Sequence, residues 1–150
     1  MKQNNDTLRL DRKVFGRAGS ATIELCLTLM ILMNVTYGVI EFGQYFYVKN
    51  QCQGAAREGA RASITSGAVM ADINTAVLNV MTASGMANSG YSVVLKINNA
   101  VATDLSSAKT GDTISVSVSC TWNNVAIKYR PYSFIGSTKV LTGTAVMRKE

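Results

Sequence analysis

The sequence predicts an α+β protein: a long N-terminal transmembrane α-helix that extends outside the membrane, a short second helix and a small antiparallel β-sheet. Three observations predict it. No charge occurs from Leu25 to Ile40, apolar residues recur at helical spacing from Ile73 to Met81, and apolar and hydroxyl residues alternate from Ile114 to Trp122. The first suits a bilayer, the second an amphipathic helix, and the third a strand with one buried face.

Residues 1–19 form a basic leader, with Lys2, Arg9, Arg12, Lys13 and Arg17 against Asp6 and Asp11, whereas only Lys49 follows closely beyond the apolar run. The positive-inside bias therefore keeps the N-terminus cytoplasmic and exports the remainder. Residues 20–42 as a helix would extend about 34 Å, enough to cross a hydrocarbon core of about 30 Å. Glu24 lies one turn inside that span, where a charge costs roughly 2.5–3.5 kcal/mol on insertion scales. It must either find a partner or snorkel to the cytoplasmic interface. Phe42, Tyr45, Phe46 and Tyr47 cluster beside Glu41, as expected of rings at the outer lipid–water boundary. A cleaved secretory signal fits less well: residues 41–53 are aromatic and polar, and the small cluster Gly54-Ala55-Ala56 comes too late for a signal-peptidase site. Cleavage on the cytoplasmic side, at the Gly19 junction, would instead leave the helix in the mature chain.

The helix is expected to continue outside the membrane over residues 43–66. Arg57 and Arg61, at i and i+4, share one face beside an Ala/Gly-rich stripe, which suits either a helix interface (to partner subunits or anionic lipid) or plain solvation. Gly54, Gly59 and Gly67 weaken it, and Thr65-Ser66-Gly67 is its expected end. In the remaining exported domain, residues 67–150, Asp72 is expected to cap a helix whose core face is Ile73, Ala76, Val77, Val80 and Met81. Ser84-Gly85 and Asn88-Ser89-Gly90 end it. Strands are expected at Tyr91–Ile97, at the alternating segment ending in Trp122, and at 138–148 with Val140, Thr142, Thr144 and Val146 on one side. Asn98-Asn99 and Lys109–Asp112 read as turns, and Tyr129–Tyr132, around the single Pro131, as an exposed loop.

Composition excludes several functions. The chain has no His, so Ser-His or Cys-His nucleophiles and the usual mixed zinc sites are absent, and no catalytic, cofactor or metal residues are expected. Glu24 and Glu41 lie about 25 Å apart along one helix, too far to share a substrate. The net charge of +6 falls to +3 without the leader, which takes five basic and two acidic residues with it. Half the basicity is thus a topology signal, and nucleic-acid binding has little support. Cys26 reads as an apolar residue of the span. Cys52 and Cys120 would both be exported, and either form one disulfide or remain packed thiols.

Gly19 followed five residues later by Glu24 and an apolar helix resembles the type IV prepilin processing signal. Arg17–Leu25, Tyr37–Gly43, Ala55–Arg61 and the ending Ala145–Glu150 are similar to the TadE-like (TadE/TadG) minor pseudopilins of the tight-adherence (Tad/Flp, type IVc) pilus. Leu25 stands where that family often has Phe, and Met30 where Pro often follows, so an early helix kink is not expected. The resemblance implies a prepilin peptidase that cuts after Gly19, leaving Ser20 as a new α-amine, and pairing of a neighbour's amine with Glu24. It also implies partners: other pseudopilins or the major pilin, the inner-membrane assembly platform, and membrane lipid. The chain would be a single-pass inner-membrane protein with its C-terminal domain periplasmic or extracellular. The alternative is an unprocessed single-pass protein whose outer domain binds another envelope protein.

Overall fold

A computed structural model describes residues 5–128 and 133–150, with residues 5–18 as helix backbone alone. The expected Tyr129–Tyr132 loop lies outside the described residues. The chain divides into two compact units, one ending at Val39 and one running from Ile40 to Glu150. The fold is α+β. Its elements are α1 (Asn5–Ser63), α2 (Met70–Ala83), β1 (Ser92–Ile97), β2 (Ala100–Ala102), β3 (Thr113–Thr121), α3 (Trp122–Val125) and β4 (Val140–Arg148). All strand pairs are antiparallel, in the order β2-β1-β3-β4.

From residue 41 onward, α1 buries one narrow stripe: Glu41, Val48, Cys52, Ala55, Ala56, Gly59, Ala60 and Ser63. Tyr45 is half-buried on the same stripe, its ring edge-on to buried Trp122 with centroids 5.9 Å apart. The aromatic cluster therefore splits. Phe42, Phe46 and Tyr47 remain exposed, as an interfacial belt requires, while Tyr45 belongs to the domain core because it sits one turn from Glu41 and Val48.

The smallness of the stripe is its structural use. A Cβ on Gly59 would come within 2.9 Å of Val77, 3.2 Å of Val116 and 3.4 Å of Ile73, so α2 and β3 both close onto this point. A Cβ on Gly143 would collide with the backbone of Cys52 and Gln53, so β4 lies directly on α1. Beside that crossing, the Gln53 side chain accepts a hydrogen bond from Thr144 N–H at 3.1 Å and donates to the Thr144 carbonyl at 2.7 Å. A carboxamide thus stands in for a neighbouring strand on the exposed edge of the sheet, where unpaired backbone would otherwise invite pairing with another chain.

Helix α2 starts three residues earlier than an Asp72 cap implies. Val69 occupies the N-cap position, and Asp72 reaches back from N3 to accept the Val69 N–H at 2.9 Å. Its buried face is Ile73, Val77 and Met81. The helix ends where Ser84-Gly85 predict: Met86 N–H donates to Met81 O at 2.7 Å and Gly85 N–H to Thr82 O at 3.0 Å, with Gly85 at φ +73. This is a Schellman motif, closed by the buried Met81 and Met86.

Strand β3 alternates as expected, with Ile114, Val116, Val118 and Cys120 buried. Trp122 was expected to continue it but opens α3 instead, while its N–H still donates to Lys139 O at 2.7 Å. In β4, Val140, Thr142, Thr144 and Val146 share the outer face, and the inner face is Leu141, Gly143, Ala145 and Met147. Strand β2 was not foreseen, since three residues are too short to show alternation. It follows the Asn98-Asn99 turn, whose φ values of 50 and 71 give a two-residue hairpin of type I′ handedness. Asp112 secures this end of the sheet by accepting Lys109 N–H at 2.8 Å and Asn98 Nδ2 at 2.9 Å, and Asn98 Oδ1 in turn accepts Thr113 N–H at 3.0 Å.

Two outcomes follow from this packing. Gly143→Ala should destabilise the domain by about 3 kcal/mol or more, since backbone cannot give way as a side chain would; denaturant titration measures it. The Lys109 and Asn98 hydrogen bonds hold the Asp112 carboxyl below its ordinary value of 3.8. Its stabilisation is therefore present above about pH 4 and lost as pH falls through the depressed value. Stability below about pH 4 should depend less steeply on pH in Asp112→Asn than in the parent chain.

Candidate functional site

Helix α1 carries most of the residues singled out by the sequence. Gly19 and Ser20 are exposed, and a Cβ on Gly19 would meet nothing within 4 Å. Both lie inside α1, which runs through their junction rather than beginning there. A peptidase acting at this bond would have to unwind it locally, and glycine's poor helix propensity of about 1 kcal/mol relative to Ala favours that.

From Gly19 onward the helix is long and apolar enough to cross a membrane, and none of its apolar window is buried within the chain. Ile23, Leu25, Leu27, Met30 and Ile31 are all exposed. Glu24 is exposed among them, and its backbone carbonyl accepts the Thr28 hydroxyl at 2.9 Å. Asn34 and Thr36 likewise donate to the carbonyls of Met30 at 2.8 Å and Leu32 at 2.9 Å. These three polar side chains bond to their own helix, as a segment without water requires. Glu24 is the one charged residue between positions 20 and 40.

Further along, Arg57 and Arg61 are both exposed, whereas the adjacent Ala55, Ala56, Gly59 and Ala60 are buried against α2 and the sheet. The close packing that the Ala/Gly stripe suggested is thus made within the chain. Arg57 and Arg61 stay exposed, with Glu58 exposed between them.

Sequence reasoning missed the role of Glu41. It is 5 % exposed and accepts the backbone N–H of Phe134 at 2.8 Å and of Ile135 at 3.3 Å. A carboxylate on α1 therefore anchors the segment before β4, 93 positions away in sequence. Two neighbouring contacts fasten the ends of α3 and α2 to the same stretch: Gln44 donates to Val125 O at 3.3 Å and Tyr47 to Ser84 O at 3.1 Å. A polar residue at Glu41, in register with Val48 and Ala55 at seven-residue spacing, was the available signal.

The third pair is brought together by the tertiary fold. Cys52 Sγ donates to Cys120 Sγ at 3.5 Å, and the Ser89 hydroxyl stands 3.7 Å from Cys120 Sγ. Both thiols are free and fully buried, whereas Cys26 is exposed on the apolar part of α1. Among the described residues no group of three His, Cys, Asp or Glu could hold a metal ion.

Residues 19–61 match the family model described as TadE-like protein. Over this stretch the helix is similar to that family. The match takes in Gly19, Ser20, Glu24, Glu41, Cys52, Arg57 and Arg61, and stops two residues before α1 ends, leaving α2 and the sheet outside it. No curated protein and no solved structure matches the chain. The TadE-like match supports a role associated with the Tad pilus, and the apolar helix is consistent with a single-pass membrane protein of a pilus system.

Replacing Glu41 with Ala should destabilise the Ile40–Glu150 unit by about 2–3 kcal/mol, because two backbone N–H groups lose a charged acceptor. Hydrogen exchange checks it: the Phe134 and Ile135 amides should lose protection first, with Glu41→Gln showing a smaller loss.

Proposed function

We propose that the protein is a minor pseudopilin, a structural assembly or priming component of a Tad/Flp-type pilus rather than an enzyme. The observation that carries this is the TadE-like helix with one exposed carboxylate, Glu24, among exposed apolar side chains. In this reading a prepilin peptidase cuts after Gly19 and exposes the Ser20 amine, leaving the leader as a discarded topology signal. Glu24 then pairs with the amine of an adjacent subunit within a bundle of apolar helices. A buried charge matched in one register and unmatched in others selects that register. Residues 20–42 are the membrane segment, and the domain beyond them lies on the periplasmic or extracellular side. Its partners are other pseudopilins or the major pilin, the assembly platform, and lipid, with Arg57 and Arg61 available at the exposed face of α1.

One observation favours a second reading, an unprocessed single-pass protein whose outer domain binds another envelope protein. An open cleft of about 300 Å³ is lined by Gln44, Tyr47, Ser84, Asn88, Ser89 and Asn124 together with Gly85, Met86 and Val125, a mixed polar and apolar wall at which another protein could dock.

Mass spectrometry of the protein from cells containing the peptidase separates the two. A mature chain beginning at Ser20 supports the pseudopilin, and an intact leader overturns it. Glu24→Ala should leave cleavage intact and lower incorporation into assembled pilus fractions by about tenfold or more, as expected for the loss of one partner of a buried ion pair. Unchanged incorporation would remove Glu24 as the assembly contact.

A further inference from the structure

We propose that Cys52 and Cys120 form one disulfide in the exported domain, a covalent tie between α1 and β3. Three observations converge on it. The two sulfurs lie 3.5 Å apart although 68 positions separate the residues in sequence. Both are fully buried, in a core whose other members are aliphatic, aromatic or small, so neither thiol serves a surface function. The third observation is Gly143, opposite Val118 and diagonal to Cys120 on the same inner face of the sheet. Its missing Cβ lets β4 rest on the backbone of Cys52 itself. The helix is thereby held near enough to the sheet for the small shift from 3.5 Å to the roughly 2.05 Å of an S–S bond.

A metal does not account for the pair, since among the described residues no third His, Cys, Asp or Glu joins it. The hydrogen bond from Cys52 lowers the Cys120 thiol to about 7, with the Ser89 hydroxyl adding to the effect, while that bond and burial push Cys52 up. Within the closed core Cys120 is therefore the more acidic of the two sulfurs.

The co-reactant is a disulfide-bearing thiol oxidant of the extracytoplasmic space. The thiolate of either cysteine, Cys120 for instance, attacks one sulfur of the donor disulfide, breaking its S–S bond and expelling one donor thiolate. Cys52, on losing its proton, attacks Cys120 Sγ and expels the second donor thiolate. Two protein thiols are oxidised, one donor disulfide is reduced to two thiols, and the two protons pass to those leaving groups. Because both sulfurs are sealed once the domain closes, the exchange belongs to folding during export.

This inference rests on the export of the domain, so its test has two arms. Full-length protein carrying Cys26→Ala is unfolded, reduced, refolded in detergent with a glutathione redox buffer, and mapped by nonreducing proteolysis and mass spectrometry. A peptide linking Cys52 to Cys120, with a melting temperature that falls by about 10 °C or more on reduction, is expected. Recovery of both cysteines as alkylatable thiols overturns the proposal. In cells, thiols are trapped in acid while protease access is measured from the outer side of the membrane. An accessible domain with the linked peptide supports the proposal, and an accessible domain with both thiols free overturns the disulfide but not export. A protected domain overturns export, and the refolding arm then decides the bond alone. Gly143→Ala, if it folds, should lower the linked fraction several-fold.

Discussion

Everything in the unit from Ile40 to Glu150 depends on how closely α1 approaches the sheet. The helix presents Cys52, Ala55, Ala56, Gly59 and Ala60, and β4 answers with Gly143, so at their crossing no side chain intervenes between backbones. Small residues lose little rotamer entropy on burial and permit dense contact. The larger groups, Trp122, Ile73, Met81, Leu95 and Ile114, fill the space on either side of that crossing. A helix studded with Leu or Phe at these positions would stand farther off. Gln53 could not then reach the edge of β4, and Cys52 could not reach Cys120.

The same stretch of helix gathers downstream segments. Glu41, Gln44 and Tyr47 each bond to the backbone of a different downstream segment, at Phe134 and Ile135, at Val125, and at Ser84. Side chains on one helix thus locate three chain segments: the C-terminal ends of α2 and α3 and the stretch before β4. Polar groups serve here because backbone at such places carries N–H and C=O groups that an apolar surface would leave unsatisfied. In the TadE-like reading this matters for assembly, since the helix that would enter a filament is also the element on which the outer domain is organised.

How far the sequence revealed the architecture varies by element. The alternation of Ile114 to Cys120 and the Ser84-Gly85 stop are local signals, and both elements formed as read, because strand period and glycine's positive φ are decided within a few residues. Trp122 and Asp72 were misplaced by short distances, as element ends are set by competing hydrogen bonds: Trp122 keeps its bond to Lys139 while its chain turns into α3, and Asp72 caps from N3. Tyr45 looked like its aromatic neighbours and differs from them only in facing the stripe. Strand β2 had too few residues to leave a pattern.

By itself the sequence determined the apolar span, its basic leader, the Gly19 to Glu24 spacing and the α+β class, because each is written in charge, hydropathy or period over neighbouring residues. Tertiary structure alone decided what Glu41 does, that Cys52 meets Cys120, and that the Ala/Gly stripe is spent within the chain while Arg57 and Arg61 stay outside. Those facts depend on which distant segments the helix touches. The contact of a side chain with a strand some 70 to 90 positions away follows from the close approach of backbones, which no local periodicity records.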